Sequence, residues 1–235
     1  MTPAQLSDGL VHLSSEQQHY LYRVLRLSVG DRFLAMDGQG HTWLAQLNAD
    51  PTLATLLEPV TAQSELSLTV GLVMALPKGS GFDDIVRQAT ELGVSNMMPV
   101  ISDRTLLQPS THKLDRWRRI ALEAAEQSER QLVPTIDAPI SFADHLQQVT
   151  GLPSAKFLCV TRRESPHLLT CLETTMASNS SILLAIGPEG GWTDAEVAAA
   201  IAAGYHPVTL GARIFRAVTA PLVALAIVSA QLESK

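Results

Sequence analysis

The chain has 235 residues, of which 46% are hydrophobic and 17% are charged, so its composition suits a folded globular protein and excludes wholesale disorder. Its formal net charge of −6 argues against bulk electrostatic binding of nucleic acid, so any RNA contact must be local. Two cysteines, no signal-peptide pattern and no histidine or cysteine cluster with zinc spacing predict a cytoplasmic protein without a metal site or a membrane span.

The first part of the chain has the pattern of a small β-rich module. Residues 14–27 begin with serine and place apolar side chains at helical spacing, which predicts a short amphipathic helix. Turn residues then separate three predicted strands at residues 31–36, 41–47 and 53–60. We therefore predict one domain over residues 1–62, followed by a short polar linker.

From residue 66 onward, apolar strands alternate with helices, which predicts an α/β domain over residues 66–235 with a mostly parallel sheet. The predicted strands are residues 68–75, 96–101, 133–136, 156–160, 181–186 and 207–210. The predicted helices are residues 82–93, 114–128, 141–149, 193–203 and 220–232.

Two loops that follow predicted strands carry most of the functional information. Residues 187–191, Gly-Pro-Glu-Gly-Gly, which we call the glycine loop, precede a helix marked by Thr193 and Glu196 at capping-box spacing. Residues 211–216, which we call the arginine loop, follow another short apolar stretch. The carboxyl ends of strands in open α/β sheets bind small molecules, so the two loops predict a ligand pocket. The alternative is a pair of ordinary tight turns.

Other polar segments leave two interpretations open. Residues 77–84 contain glycines between a strand and a helix, but their spacing fits neither a P-loop nor a Rossmann fingerprint, so a nucleotide-binding enzyme is a weak alternative. The helix end that carries Gln127 is either solvated or faces the pocket. Positive charge at residues 113–119 and 162–163 either neutralises a few phosphates or forms a solvated face.

Four stretches, taken in chain order, make the sequence recognisable. They are residues 76–79 with 89–94, residues 124–128 with Arg130, residues 186–191, and residues 210–216 with Thr219. Together they resemble the ribosomal RNA small subunit methyltransferase E family, in the knotted SPOUT class of S-adenosylmethionine enzymes. Residues 24–27 and 37–38 resemble the family's PUA-like RNA-binding domain, so the likeness covers nearly the whole chain.

The resemblance implies a fold, an activity and an assembly. It implies a trefoil-knotted SPOUT domain preceded by the PUA-like domain, and a homodimer. The implied reaction is S-adenosylmethionine-dependent methylation of N3 of a uridine in 16S rRNA of the small ribosomal subunit. A non-catalytic RNA-binding or ribosome-assembly protein is the alternative from another functional class.

The resemblance also implies roles for individual residues. We expect the cofactor to bind at Ile186, Gly187, Glu189, Gly190, Gly191, Leu210, Gly211, Ile214, Phe215 and Thr219. The expected RNA-binding residues are Arg26, Lys78, Gln127, Arg130 and Arg213. Arg216 is the expected stabiliser of a uridine anion, with a salt bridge that only anchors its loop as the alternative. Glu189 is the acidic residue best placed by the motif for catalysis, with loop anchoring as its simpler role.

This sequence departs from the family pattern at several positions of these motifs. The family usually has proline at Ala212, leucine at Phe215 and Thr-Glu at residues 217–218, where this chain has Ala-Val. It often has a basic residue at Gly81 and a glycine at Glu129. We expect these differences to affect substrate position and rate more than the fold.

Overall fold

The computed structural model describes residues 1, 3–61, 64–106, 111–175 and 180–234. The chain divides into two compact units, Met1–Glu65 with Glu129–Leu132, and Leu66–Ser128 with Val133–Lys235. A short segment from the middle of the chain therefore belongs to the N-terminal unit. Residues 62 and 63 of the predicted linker lie outside the described residues, and the domain limits 1–62 and 66–235 stay a prediction.

The N-terminal unit contains a five-stranded antiparallel sheet in the order β1-β2-β5-β4-β3. Its strands are β1 (Leu6–Ser7), β2 (Leu10–His12), β3 (Arg32–Met36), β4 (Thr42–Leu47) and β5 (Leu53–Pro59). Helix α1 (Ser15–His19) is capped by the Ser14 hydroxyl and continues as a π-helical turn over Tyr20–Val24. The hairpin of β1 and β2 was not predicted, because strands of two and three residues are too short to show an alternating pattern.

The segment Glu129–Leu132 is held in this unit by a buried ion pair. Arg130 Nη2 lies 2.6 Å from Glu65 Oε2, and the arginine side chain is 2% exposed. Glu129 begins the segment with φ 55°, a left-handed conformation that favours glycine. The guanidinium of Arg130, expected from the sequence to bind RNA, thus pairs with a carboxylate from another chain segment, and its predicted role stays a prediction.

The C-terminal unit is built on a seven-stranded sheet in which every pairing is parallel. The order is β12-β10-β11-β6-β7-β8, with β9 also paired to β7. Its strands are β6 (Thr69–Ala75), β7 (Asn96–Ile101), β8 (Thr135–Ile136), β9 (Ile140–Ser141), β10 (Ala155–Cys159), β11 (Ser181–Ile186) and β12 (His206–Val208). The central strands are buried on both faces, which explains their continuous apolar sequences.

Helices cover both faces of this sheet. They are α2 (Gly81–Glu91), α3 (Thr111–Gln127), α4 (Phe142–Val149), α5 (Leu168–Thr175), α6 (Asp194–Ala202) and α7 (Ala220–Glu233). Residues of α2, α3, α5 and α7 share one core with Leu72 and Met74 of β6. Residues of α4 and α6 share the opposite core with Val73 and Ala75. The alternation along β6 therefore separates two hydrophobic layers.

The predicted α/β fold with a mostly parallel sheet, preceded by a β-rich module, is confirmed. Helix α5 was missed, because three of its eight residues are threonines, which are weak helix formers. None of the helices among the described residues has the length and hydrophobicity that crossing a membrane would require. The trefoil knot stays a prediction.

Candidate active site

A cavity of about 990 Å³ opens at the carboxyl ends of β10, β11 and β12. The glycine loop, the arginine loop and residues 159–163 after β10 form its walls. The volume lies in the range of small-molecule sites, and the position is the one at which open α/β sheets bind ligands. The two loops that the sequence singled out therefore share one pocket.

The glycine loop is braced from two neighbouring strand ends. Arg104, which follows β7, donates from Nη1 to the carbonyl oxygen of Gly190 at 2.6 Å. The backbone N–H of Lys78, which follows β6, donates to Oε1 of Glu189 at 3.0 Å. Within the loop, the N–H of Gly191 donates to the Pro188 carbonyl at 2.8 Å. These contacts hold the loop in one conformation without using its remaining amides.

A side chain would be disfavoured at each glycine of this loop, for a different structural reason at each position. A Cβ on Gly187 would lie 3.1 Å from Nε1 of Trp192, and a Cβ on Gly190 would lie 3.0 Å from Cδ of Arg104. Gly191 has φ 69°, a conformation that side chains disfavour. The sequence interpretation was that the glycines admit a ligand to the backbone. The structure adds that Gly187 leaves room for the indole ring of Trp192 and that Gly190 leaves room for the aliphatic part of Arg104.

The start of α6 is tied to the segment after β7. Thr193 and Glu196 form the predicted capping box, with the N–H of Thr193 donating to Glu196 Oε2 at 2.7 Å. The other carboxylate oxygen, Oε1, accepts the backbone N–H of Asp103 at 2.9 Å. The Thr193 hydroxyl donates to Asp103 Oδ2 at 3.0 Å. Arg104 is therefore presented to the glycine loop from a segment that is itself anchored to the following helix.

Trp192 forms the floor under the glycine loop. Its ring stacks on Phe142 of α4 with centroids 4.3 Å apart. The indole N–H is buried and has no hydrogen-bond partner among the described residues. Unsatisfied buried donors are uncommon in native proteins and mark places where water or a ligand completes the structure.

Cys159, at the end of β10, also lines the pocket. Burial raises the pKa of its thiol to about 12. At neutral pH the thiol therefore stays protonated, and it does not act as a nucleophile. This agrees with the sequence interpretation of Cys159 as a small hydrophobic residue.

The arginine loop differs from the glycine loop in its exposure and its charge. Arg213 and Arg216 are exposed, and Ile214 is 60% exposed. The pocket is lined by Arg104, Arg162, Arg163, Arg213 and Arg216, against the carboxylates of Glu189 and Asp194. Arg163 forms an ion pair with Asp194. In this chain of net negative charge, the rim of the pocket is thus locally positive.

Comparison with known proteins identifies the relatives of both units. Residues 64–229 match the model of an RNA methyltransferase domain, and residues 13–56 match that of an RNA methyltransferase PUA domain. The chain is 52% identical to a Ribosomal RNA small subunit methyltransferase E from Synechocystis, over all of this chain and 77% of the relative. The chain belongs to this family.

Two further relatives agree with that assignment. The chain is 30% identical to the Bacillus subtilis protein of the same name, over 94% of this chain and 90% of that protein. A crystal structure of the family member from Neisseria gonorrhoeae, bound to S-adenosyl methionine, matches with a TM-score of 0.85 and 31% identity. The match covers 96% of this chain and 94% of that one.

The structure gathers most of the predicted cofactor residues around one cavity. Those that line it are Ile186, Gly187, Glu189, Gly190, Gly191, Leu210, Gly211, Ile214 and Phe215, together with Arg213 and Arg216. Thr219 is not among the lining residues and lies just before α7. Lys78 is exposed and touches the site through its backbone contact with Glu189.

The remaining predicted RNA-binding residues are not among those that line the cavity. Gln127 is exposed at the end of α3 in the C-terminal unit. Arg26 is exposed in the N-terminal unit with φ 57°, and Arg130 is buried in the same unit. The roles predicted for these residues stay predictions, with the burial of Arg130 counting against its own.

Sequence reasoning missed three residues that shape the pocket, Asp103, Arg104 and Trp192. Asp103 and Arg104 follow a predicted strand, which puts them at the same edge of the parallel sheet as the two loops. This was the available signal that they could contribute to the pocket. Their contacts depend on β7 lying two strands from β11 in the sheet, an order that is not written in the local sequence.

Proposed function

We propose that the protein is a S-adenosylmethionine-dependent methyltransferase that methylates N3 of a uridine in 16S rRNA of the small ribosomal subunit. The observation that carries this proposal is the single pocket formed by the glycine and arginine loops in a chain of this family. The N. gonorrhoeae relative, at 31% identity, was crystallised with S-adenosyl methionine bound.

The residues of the pocket fit this cofactor. The cavity has the volume of a site for a nucleoside-sized molecule, and its glycine loop offers backbone groups. The unsatisfied indole N–H of Trp192 lies beneath that loop. In our proposal, backbone groups of residues 186–191 and 210–215 hold the cofactor, which supplies a sulfonium methyl group for transfer.

Arg216 is the proposed catalytic residue. A uridine N3–H is a weak acid, and the base becomes nucleophilic at N3 when it loses that proton. A guanidinium remains charged at any working pH and offers fixed donors to a uracil carbonyl oxygen. Arg216 is exposed and lines the pocket, where a developing negative charge on uracil would be stabilised.

Glu189 is proposed as a positioning residue instead of a general base. Its Oε1 accepts the N–H of Lys78 at 3.0 Å, a contact that links the glycine loop to the segment after β6. A carboxylate engaged in this way holds backbone in place. This supports the simpler of the two roles that the sequence left open.

RNA binding and assembly complete the proposal. Arg26, Lys78, Gln127 and Arg213 are exposed and remain the proposed RNA contacts. We propose that the protein works in the cytoplasm. We also propose that it is a homodimer, because α7 is almost wholly apolar and two of its residues, Ala226 and Ala230, are exposed. Light scattering of the purified protein at micromolar concentration should give twice the 25.3 kDa of one chain, and a monomer mass would contradict the dimer.

Methyl transfer to small-subunit rRNA tests the function directly. The purified chain is incubated with methyl-labelled S-adenosylmethionine and unmodified small ribosomal subunits, and the rRNA is then digested and analysed as nucleosides by mass spectrometry. We expect one labelled 3-methyluridine per subunit. A protein that bound rRNA but neither bound the cofactor nor transferred label would be the non-catalytic alternative.

A further inference from the structure

The segment after β10 contains an arginine whose backbone conformation is unusual. Arg162 is exposed, lines the pocket and has φ 57°. Among the described residues, the other non-glycine residues with positive φ are Asp8, Arg26 and Glu129. Such left-handed conformations favour glycine or asparagine, because a Cβ is strained there. Position 162 would therefore accept glycine at no cost to the local backbone.

The contacts of Arg162 do not explain why the position carries a long cationic side chain. In the part of the chain that the structure describes, its guanidinium forms no ion pair or hydrogen bond, whereas the neighbouring Arg163 pairs with Asp194. Strained conformations persist at ligand sites when the side chain serves binding instead of folding. The geometry therefore indicates a partner outside the chain.

The charges around the pocket define the chemistry of that partner. The two carboxylates of the lining are both engaged, Glu189 with the backbone of Lys78 and Asp194 with Arg163. Arg162, Arg213 and Arg216 are therefore left as positive groups without an ion pair among the described residues of this unit. A ligand that meets several such groups along a rim is a polyanion, and a guanidinium suits phosphate because it donates two parallel hydrogen bonds.

We propose that Arg162 binds a backbone phosphate of the RNA strand beside the nucleotide that enters the pocket. This inference rests on the proposed rRNA substrate and assigns a phosphate contact to a residue outside both loops. S-adenosylmethionine offers a single carboxylate and no phosphate, whereas an RNA strand offers a row of phosphates that matches several cations along the rim, so we assign Arg162 to the RNA. Phosphate contacts position a strand without reading its sequence, so Arg162 acts on substrate affinity.

The test compares Arg162→Gln with Arg87→Gln, which makes the same charge change on α2, outside the pocket lining. Arg87 is half exposed and pairs with Asp84. Methyl transfer to unmodified small ribosomal subunits is measured across a series of salt concentrations. For Arg162→Gln, we expect the KM for subunits to rise about five-fold near 0.15 M salt and the salt slope to fall by about one, the effect of losing one phosphate contact. We expect kcat, the cofactor Kd and all values for Arg87→Gln to match the wild type.

A second variant, Arg162→Gly, separates binding from folding. It removes the charge and also relieves the left-handed strain, so we expect the same rise in KM with no fall in melting temperature. A fall in melting temperature would give Arg162 an internal stabilising role and overturn the proposal. A KM equal to that of Arg87→Gln would also overturn the proposal. A parallel loss of cofactor affinity would overturn it as well, because it would assign Arg162 to the cofactor carboxylate. If the wild type transferred no methyl group to rRNA, the proposed function itself would fail, which is a distinct result.

Discussion

The glycine loop and the arginine loop line the same pocket, but they are stabilised differently. The glycine loop is bonded to segments far away in sequence, through Arg104 and the backbone of Lys78. The arginine loop uses local contacts, in which the Thr209 hydroxyl accepts the N–H of Gly211 and the Arg216 carbonyl accepts the N–H of Thr219. Its arginine side chains form no ion pair among the described residues.

This difference separates two tasks of the site. A loop that binds a cofactor through backbone groups must keep those groups in fixed directions, because reorganisation upon binding costs affinity. Side chains that act on a transient charge or on a bulky RNA must instead stay free of internal partners until the substrate arrives. We therefore expect changes that loosen the first loop to alter cofactor affinity, and changes that remove an arginine side chain of the second loop, while leaving its backbone in place, to alter turnover.

The largest expected effect comes from Arg216→Ala in the arginine loop. If Arg216 stabilises the uracil anion, single-turnover methylation should fall by about 100-fold, the usual scale for losing one preorganised donor. Cofactor affinity, measured by calorimetry, should stay near that of the wild type. Parallel loss of cofactor binding and methylation would instead make Arg216 an anchor of its loop, and normal turnover would exclude both roles.

A smaller effect is expected from Arg104→Ala, which removes the brace on the glycine loop. Loss of one charge-assisted hydrogen bond to the Gly190 carbonyl should raise the cofactor Kd by about ten-fold. Because Arg104 acts on the loop and not on the reacting atoms, kcat at saturating cofactor should be retained, and Arg104→Lys should recover part of the affinity. Arg87→Ala, which removes an exposed arginine elsewhere, is the control. A Kd equal to that of this control would show that the loop holds its shape without Arg104.

The smallest expected effect comes from Gly81→Ala, which tests whether the segment after the arginine loop depends on its packing against α2. A Cβ on Gly81, the first residue of α2, would lie 2.8 Å from Cγ1 of Val218, which lines the pocket. Gly81→Ala should therefore push Val218 and weaken cofactor binding about five-fold, as overpacking of roughly 1 kcal/mol would.

The rescue by Val218→Ala decides the origin of that effect. Combined with Gly81→Ala, it removes the overlapping methyl groups and should restore the wild-type Kd. If the double variant still binds the cofactor weakly, the loss of affinity arises from a change in the start of α2 and not from the contact between position 81 and Val218. Both positions depart from the pattern that the resemblance implies, and a Cβ added at Gly81 would meet Val218. A successful rescue would make the two departures one packing change.

Local patterns in the sequence predicted most of the helices and strands and the two loops that line the cavity, but not the β1–β2 hairpin or α5. The apolar run Ser181–Ile186, the glycines after it and the cap formed by Thr193 and Glu196 all predicted a strand, a loop and a helix, and the structure has each of them. These signals are local, since strand burial and helix capping depend on residues within a few positions of each other.

The partners of the loops were decided by the tertiary structure alone. Because β11 lies between β10 and β6, with β7 next to β6, the segments after β6 and β7 reach the glycine loop from more than 80 residues away. In the N-terminal unit, another contact between distant positions buries Arg130 against Glu65. Arg162, in the C-terminal unit, has no ion pair among the residues that the structure describes, whereas its neighbour Arg163 does. A sequence states which side chains are present, but strand order decides which of them meet, because that order arises from packing over the whole domain.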